Sequence, residues 1–437
     1  MTSHGDSGPR TAAPAAGIEA DAAFPRLHAR PERGWVNDPN GCAHVDGRYH
    51  VFFQFNPAAP FHDAICWGHV SSGDLVRWRE EPIALAPRPG ELDRHGCWSG
   101  CVLDDDGVPT AAYSAVRDAD VRSSVLLARS DRAMRTWRQG RDPVAPMPSD
   151  PAVTHARDPF VFTVDGRRFA IQGAGHCEAP GAARVLVYDC DDLTSWTELG
   201  PLLTIDDPVA ARVAPAHIWE CPNLVRFEDR WVLIVSLWTS VDGGHLLEGV
   251  RYLVGDVVVA DGAPRFTPTG GGSLDRGPCF YAPQVLRVGD RILLWGWARE
   301  HGRTPEQIDR AGWAGVLTFC RELSLEGETL RSRPAAELTG LRRAPLHVEP
   351  DMPFTEQAFE VELGPGTASV SLLDGDEDAL VAAIDGSGEG ARVLVDGSIV
   401  EVFDGHPEPL TTRAYPTAES AWVVRTTAAM SAWRLAD

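Results

Sequence analysis

Three acidic residues stand in short polar tripeptides that contain or precede proline: Asn37-Asp38-Pro39, Arg157-Asp158-Pro159 and Glu220-Cys221-Pro222. The first belongs to Gly34-Trp35-Val36-Asn37-Asp38-Pro39-Asn40-Gly41. Asp-Pro-Asn-Gly is a strong turn sequence, because Pro fixes φ and Asn or Gly tolerates positive φ. With Trp35 before it and a strand-like run from His44 to Phe55 after it, Asp38 is expected at the mouth of a strand beside an aromatic wall. Carboxylates brought face to face support two-carboxylate chemistry, and hydrolysis of a glycosidic bond leads the candidates. One carboxylate attacks the anomeric carbon; the other, kept protonated, gives its proton to the leaving oxygen. Negative charge on Asp38 should raise the pKa of Glu220, which suits an acid. Arg157 adjoins Asp158 and should keep it ionised, which suits Asp158 to gripping hydroxyls. Trp35, Trp67, Trp98, Trp297 and Trp313 offer apolar faces to sugar rings, whereas Trp78, Trp137, Trp196 and Trp231 read as packing residues.

Clustered carboxylates also bind hard cations, but Asp104-Asp105-Asp106-Gly107 lacks the alternating ligands and closing Glu of a calcium loop. It reads as an exposed hairpin turn, and no metal or other cofactor is expected. A second Arg-Asp-Pro, Arg141 to Pro143, runs into Val144-Ala145-Pro146-Met147-Pro148, which is no strand, and is set aside.

The elements that must position these residues come from a repeat. Val45-Asp46-Gly47-Arg48, Val164-Asp165-Gly166-Arg167, Glu228-Asp229-Arg230 and Gly289-Asp290-Arg291 each precede a run rich in Val, Ile, Phe or Trp, the pattern of a hairpin. The turn aspartates Asp165, Asp229 and Asp290 are 64 and 61 residues apart, and Asp46 to Asp165 is 119, about two such periods. Asp104 to Gly107 supplies the intermediate copy. Asp74-Leu75-Val76-Arg77-Trp78 and Asp192-Leu193-Thr194-Ser195-Trp196 repeat as well, with Arg132 to Trp137 a weaker relative. Five copies of several strands predict a five-bladed β-propeller. The polar tripeptides, with Trp98-Ser99-Gly100 and Tyr281-Ala282-Pro283 completing the set, fall at the same place in each copy. Equivalent positions in a propeller surround its axis, so Asp38, Ser99, Asp158, Glu220 and Tyr281 should converge.

Acidic residues outnumber basic ones by 62 to 40 for a net charge of −22, which disfavours nucleic acid and anionic membrane as partners. No apolar run approaches the ~20 residues of a membrane span. Residues 1–23 are Ala/Gly/Pro/Ser-rich and predicted disordered. They lack a basic start followed by an apolar stretch, so a cytoplasmic location and small imported substrates are expected. The nine cysteines are scattered and odd in number, and read as free, mostly buried thiols. Within 437 residues the expected organisation is a propeller over 24–332, a linker over 333–345 and a short β-sandwich over 346–437. The clearest hairpin of the last part is Arg392 to Phe403. It is predicted to pack on the propeller and to be structural.

These motifs resemble glycoside hydrolase family 32, the family of invertases, fructan hydrolases and sucrose-6-phosphate hydrolases. The resemblance runs from His28 to the C-terminus and rests on His28 to Gly41, Trp67-Gly68-His69 with Asp74-Leu75 and Trp78, Arg157-Asp158-Pro159, Trp219-Glu220-Cys221-Pro222, Phe280 to Gln284 and Gly312-Trp313-Ala314-Gly315. It implies an all-β chain, a five-bladed β-propeller followed by a β-sandwich, and a retaining mechanism with Asp38 as nucleophile and Glu220 as acid/base. It further implies that Asp158 stabilises the transition state, while Asn37, Gln54, Trp67, Ser99, Arg157 and Tyr281 line a fructosyl site. Two departures stand out, Trp98-Ser99-Gly100-Cys101 for the usual Phe-Ser-Gly-Ser and Cys320-Arg321-Glu322-Leu323 for Pro-Arg-Glu-Leu. The expected activity is release of terminal fructose from sucrose or a short fructoside. A fructosyltransferase, a related hydrolase of pentose polymers and a non-catalytic sugar-binding propeller remain as alternatives. The sequence leaves the oligomeric state open.

Overall fold

The computed structural model describes residues 20–119, 121–179, 181–242, 244–386 and 388–436. Its first 300 or so residues form five antiparallel four-stranded blades. Blade 1 is β1 (Gly34–Val45), β2 (Arg48–Asn56), β3 (Cys66–Ser72) and β4 (Trp78–Glu80); blade 2 is β5 (Gly96–Asp105), β6 (Val108–Val116), β7 (Ser123–Ser130) and β8 (Trp137–Gln139). Blade 3 is β9 (His155–Val164), β10 (Arg167–Gly175), β11 (Arg184–Asp189) and β12 (Thr197–Thr204). The short helix α1 (Pro208–Val213) leads to blade 4, which is β13 (Ile218–Phe227), β14 (Arg230–Val241), β15 (Gly244–Ala260) and β16 (Ala263–Ser273). Blade 5 starts with β17 (Phe280–Val288) and β18 (Arg291–Ala298), passes through α2 (Pro305–Ala311), β19 (Trp313–Ala314) and β20 (Val316–Leu317), and ends with β21 (Arg321–Glu326) and β22 (Thr329–Pro334).

The hairpin turns are local chemistry. Asp46-Gly47, Asp106-Gly107 and Asp165-Gly166 all have positive φ, as a two-residue turn matched to strand twist requires. Asp104 to Gly107 forms such a turn, with the Gly107 N–H donating to the Asp104 carboxylate. The Asp-Leu-x-x-Trp pieces start the outermost strands: Asp74 Oδ1 accepts the N–H groups of Val76 and Arg77, and Asp192 Oδ1 that of Thr194.

The five first strands are the inner ones. β1 packs against β5, β5 against β9, β9 against β13, β13 against β17, and β17 against β1, so the ring closes. A parallel pairing of β19 with β1 seals it, through Gly34↔Trp313 and Trp35↔Ala314. The close approach depends on Gly315 at φ +71, where any Cβ would run into the Val36 carbonyl. At the hub, Gln284 accepts from the Cys42 N–H and donates to the Gly100 carbonyl, so one side chain ties three blades.

The chain continues through a 3₁₀ turn (Ala336–Leu341) into nine strands, β23 (Arg342–Pro345), β24 (Ala358–Leu363), β25 (Gly366–Asp374), β26 (Glu377–Gly386), β27 (Ala391–Asp396), β28 (Ile399–Phe403), β29 (Leu410–Arg413), β30 (Ala421–Thr426) and β31 (Met430–Leu435). They form a six-stranded sheet, β23-β31-β24-β27-β28-β29, and a three-stranded sheet, β26-β25-β30. Phe359, Val361, Val393, Val400 and Trp422 fill the space between them. The stretch expected as linker, 333–345, is divided: Pro334 ends blade 5, and β23 already pairs with β31 of the sandwich.

The sandwich docks through buried ions. Arg321 donates to Asp275 at 2.8 Å and to Glu401 at 2.6 and 3.0 Å. His28 lies between Asp396, at 2.8 Å, and Glu401, at 3.4 Å, with its ring on Phe319. Those two carboxylates raise the His28 pKa against the opposing effect of burial. The N-terminal expectation needs correction for the residues that are described. Ala22 and Ala23 are buried, and the Ala23 carbonyl accepts from the Ser398 N–H of the sandwich; residues 1–19 of that expectation lie outside the described residues. The nine cysteines are free, eight of them buried. Among the described residues no helix is long and apolar enough to cross a membrane.

Candidate active site

Each inner strand carries a β-bulge at its polar tripeptide: between Val36 and Pro39, Trp98 and Gly100, Arg157 and Phe160, Glu220 and Asn223, and Tyr281 and Gln284. An extra residue in one strand re-aims its side chains. Asp158, Cys221 and Ala282, each just before a proline, have φ of 62, 45 and 46°, a costly backbone state for non-glycine residues. Neighbouring blades hold these kinks in place. Ser114 Oγ accepts the Asp158 N–H at 2.8 Å and Ser236 Oγ accepts that of Ala282 at 3.1 Å.

The outcome is a cleft of about 490 Å³ at one end of the ring, lined by Asp38, Asp158 and Glu220 together with Trp35, Asn37, Gln54, Trp98, Arg157, Tyr281 and Trp297. Asp38 Oδ1 accepts from Asn37 Nδ2 at 3.0 Å; Oδ2 accepts from Gln54 Nε2 at 3.0 Å and Ser99 Oγ at 2.9 Å. Asn37 is itself held by the Trp35 indole N–H at 2.6 Å. Ser99 is buried and meets the cleft through Asp38 and Gln54. Glu220 Oε1 accepts from Arg157 Nε at 2.9 Å and Nη2 at 2.8 Å, and Oε2 from the Tyr281 hydroxyl at 2.7 Å. Arg157 Nη1 is buried with no protein partner. The Cys221 thiol stands 3.5 Å from both Asp38 Oδ2 and Asp158 Oδ2, and the Cys221 N–H donates to Asp158 at 2.9 Å.

Charge crowding shows on two of the acids. Burial, then the Glu220 charge, pushes Asp38 up to about 6, against the hydrogen bonds of Ser99 and Asn37. Burial also pushes Asp158 up to about 7; Arg157 opposes this, while Glu220 and Asp38 add to it. The expectation that Arg157 keeps Asp158 ionised is therefore corrected. Desolvation outweighs the neighbouring cation, and the guanidinium fork is turned onto Glu220 instead. The Cys221 thiol is held well above its ordinary value by burial and by Asp158 and Asp38, so it stays neutral.

Two tryptophans expected as sugar platforms are not. Trp67 is fully buried, and its indole N–H holds the Trp98 carbonyl at 3.0 Å from behind the cleft wall. Trp313 is buried beneath Phe24, with the guanidinium groups of Arg30 and Arg303 over its ring and its N–H on Asp21. The cleft also contains residues that sequence reasoning passed over, His62, Val121, His155, Trp238, His245 and Leu247. Trp238 ends the apolar run Trp231 to Leu237 and reads as one more core residue. Strand register carries the missing signal: Trp238 pairs with Ile218, two residues from the Glu220↔Ser236 pair.

The model for the glycosyl hydrolases family 32 N-terminal domain matches residues 28–334. A sucrose-6-phosphate hydrolase of Klebsiella pneumoniae is 38% identical over 335 residues, covering 74% of this chain and 69% of that protein. One from Zymomonas mobilis is 28% identical over 459 residues, covering 91% and 88%. Among solved structures, a sucrose-6-phosphate hydrolase from Lactobacillus gasseri matches with a TM-score of 0.81 at 22% identity, over 96% of this chain and 94% of that one. A β-fructofuranosidase from Bombyx mori matches with a TM-score of 0.79 at 24% identity, over 95% and 94%. The two structures speak for the fold, a propeller followed by a sandwich. The domain match and the Klebsiella relative speak for descent: this chain belongs to glycosyl hydrolase family 32.

Proposed function

We propose that the protein is a retaining β-fructofuranosidase that releases terminal fructose from sucrose or short fructosides. Asp38 is the nucleophile. Its carboxylate attacks the anomeric carbon of the fructosyl unit as Glu220 passes a proton to the glycosidic oxygen, and the leaving sugar departs with that proton. Glu220, now a carboxylate, takes a proton from water, whose oxygen attacks the anomeric carbon and frees Asp38. Asp158 accepts hydrogen bonds from fructosyl hydroxyls, which favour its charged form and offset the penalty of burial. Arg157 and Tyr281 orient Glu220, and the unpartnered Arg157 Nη1 is a donor available to a sugar oxygen. Asn37, Gln54 and Ser99 hold the nucleophile, while Trp35, Trp98 and Trp297 form the apolar wall. The carrying observation is that Asp38 and Glu220, from separate blades of the ring, line one cleft, where the Glu220 charge acts on Asp38.

The test is fructose release from sucrose, 1-kestose, inulin and levan, with products separated by chromatography. The small substrates should be cleaved, and added methanol should trap a methyl β-fructoside of retained configuration. Glu220→Gln should lower turnover by about 10²–10⁴-fold, and Asp38→Asn by at least as much. Near-normal sucrose cleavage by either folded variant rejects the assignment.

A further inference from the structure

In four blades the second strand stops level with the inner strand. The last pairs are Trp35↔Asn56, Gly96↔Val116, His155↔Gly175 and Phe280↔Ala298. Blade 4 differs. Its inner strand ends at the Ile218↔Trp238 pair, but β14 and β15 go on together through Thr239↔Leu246, Ser240↔His245 and Val241↔Gly244. They form a two-stranded arm with no inner-strand neighbour. Val241 and Leu246 on this arm are exposed, whereas Trp238, His245 and Leu247 face the cleft. The Trp238 ring stacks on His245, with centroids 5.2 Å apart, and on His155 of β9, 6.2 Å away.

The arm lies on the side of the proton donor. Directly paired residues on antiparallel strands point to the same face, so Trp238 stands one step outward from Glu220 on the face that Glu220 uses. A general acid sits beside the departing oxygen, which places the leaving group over this wall. The wall is poor in positive charge. Arg157 is the guanidinium among the lining residues, its fork is taken by Glu220, and the chain has no lysine. Burial depresses His62 to about 4, so it is neutral near pH 7. On the neighbouring β6–β7 turn, Asp118 pairs with Arg117 of the same turn and with Arg94 from the segment before β5. Three carboxyl groups occupy the floor. A phosphate monoester would meet like charge here, with the lining guanidinium already engaged by Glu220.

We propose that the blade 4 arm, with Trp238 and His245, is the leaving-group subsite, and that it takes an uncharged sugar in preference to a phosphorylated one. This rests on the fructosidase reading above. At pH 7 the enzyme should show a kcat/KM for sucrose at least about tenfold above that for sucrose 6-phosphate, as uncompensated like charge requires. Trp238→Ala should lower the ratio of kcat/KM for sucrose to that for methyl β-D-fructofuranoside at least fivefold, and Trp238→Phe should restore most of it. A purely structural role would depress both substrates alike. His245→Arg, a change on an exposed residue, should shift preference toward sucrose 6-phosphate at least fivefold. Preference of the unaltered enzyme for the phosphorylated sugar overturns the proposal, as does an unchanged ratio in both Trp238→Ala and His245→Arg. An unaltered enzyme that frees fructose from none of these substrates fails the parent reading, and this one with it.

Discussion

Replacing Asp38 by Asn should make the protein more stable above neutrality while stopping turnover. Burial and the Glu220 charge lift the Asp38 pKa from 3.8 to about 6, so keeping this carboxylate ionised costs the folded state. With 1.36 kcal/mol per pKa unit, two units correspond to about 3 kcal/mol. The sign follows from proton counting. Between pH 3.8 and 6 the folded state binds more protons than the unfolded state, so stability falls as pH rises through this window. Above it the whole penalty is present; below it there is none. Asn retains an oxygen for Ser99 and Gln54, but its amide meets the Asn37 amide donor, so one hydrogen bond, about 1 kcal/mol, is subtracted from the gain. The variant should therefore gain up to about 2 kcal/mol at pH 8 and nothing at pH 4. At roughly 2 cal/mol/K of unfolding entropy per residue, that is a rise of about 2 °C in Tm at pH 8. Thermal unfolding by calorimetry at the two pH values reads it directly. An equal gain at both, or a loss at pH 8, refutes the claim that charge desolvation at Asp38 opposes folding.

Two further outcomes follow from the same geometry. The acid limb of kcat/KM should fall off near pH 6, where Asp38 takes up its proton and could no longer act as the proposed nucleophile; a profile flat down to pH 4.5 would contradict this. Arg321→Ala should destabilise by about 3–5 kcal/mol, because it leaves Asp275 and Glu401 buried without their cation. Denaturant unfolding measures the loss, and a change below 1 kcal/mol would show that the docking ions relax into other partners.

The blade count, the convergence of Asp38, Ser99, Asp158, Glu220 and Tyr281, and the exposed turn at Asp104 were readable because each depends on local chemistry repeated at a period. Proline and turn residues mark the bulges, and a propeller turns equal positions in the repeat into neighbours in space. Side-chain partnership was harder to read. Arg157 adjoins Asp158 in sequence yet serves Glu220, 63 residues away, because the bulge rotates successive side chains to different partners. Trp67 and Trp313 have the composition of sugar platforms, but burial decides, and burial depends on contacts with Trp98, Phe24 and three-dimensional neighbours that no window reveals. Trp238 failed in the opposite direction: an apolar strand that overruns its blade looks the same in sequence as one that does not.

The segment leading to Trp35 and Asp38 is fastened to the C-terminal sandwich before it enters the first blade, with His28 gripped by Asp396 and Glu401, and Glu401 in turn gripped by Arg321 from the end of the fifth. The accessory domain is thus a buckle joining the two ends of the propeller's chain. Recombination that exchanges this domain between relatives must carry the matching leader and the Arg321 segment with it, or the ring will be handed a clasp that does not fit.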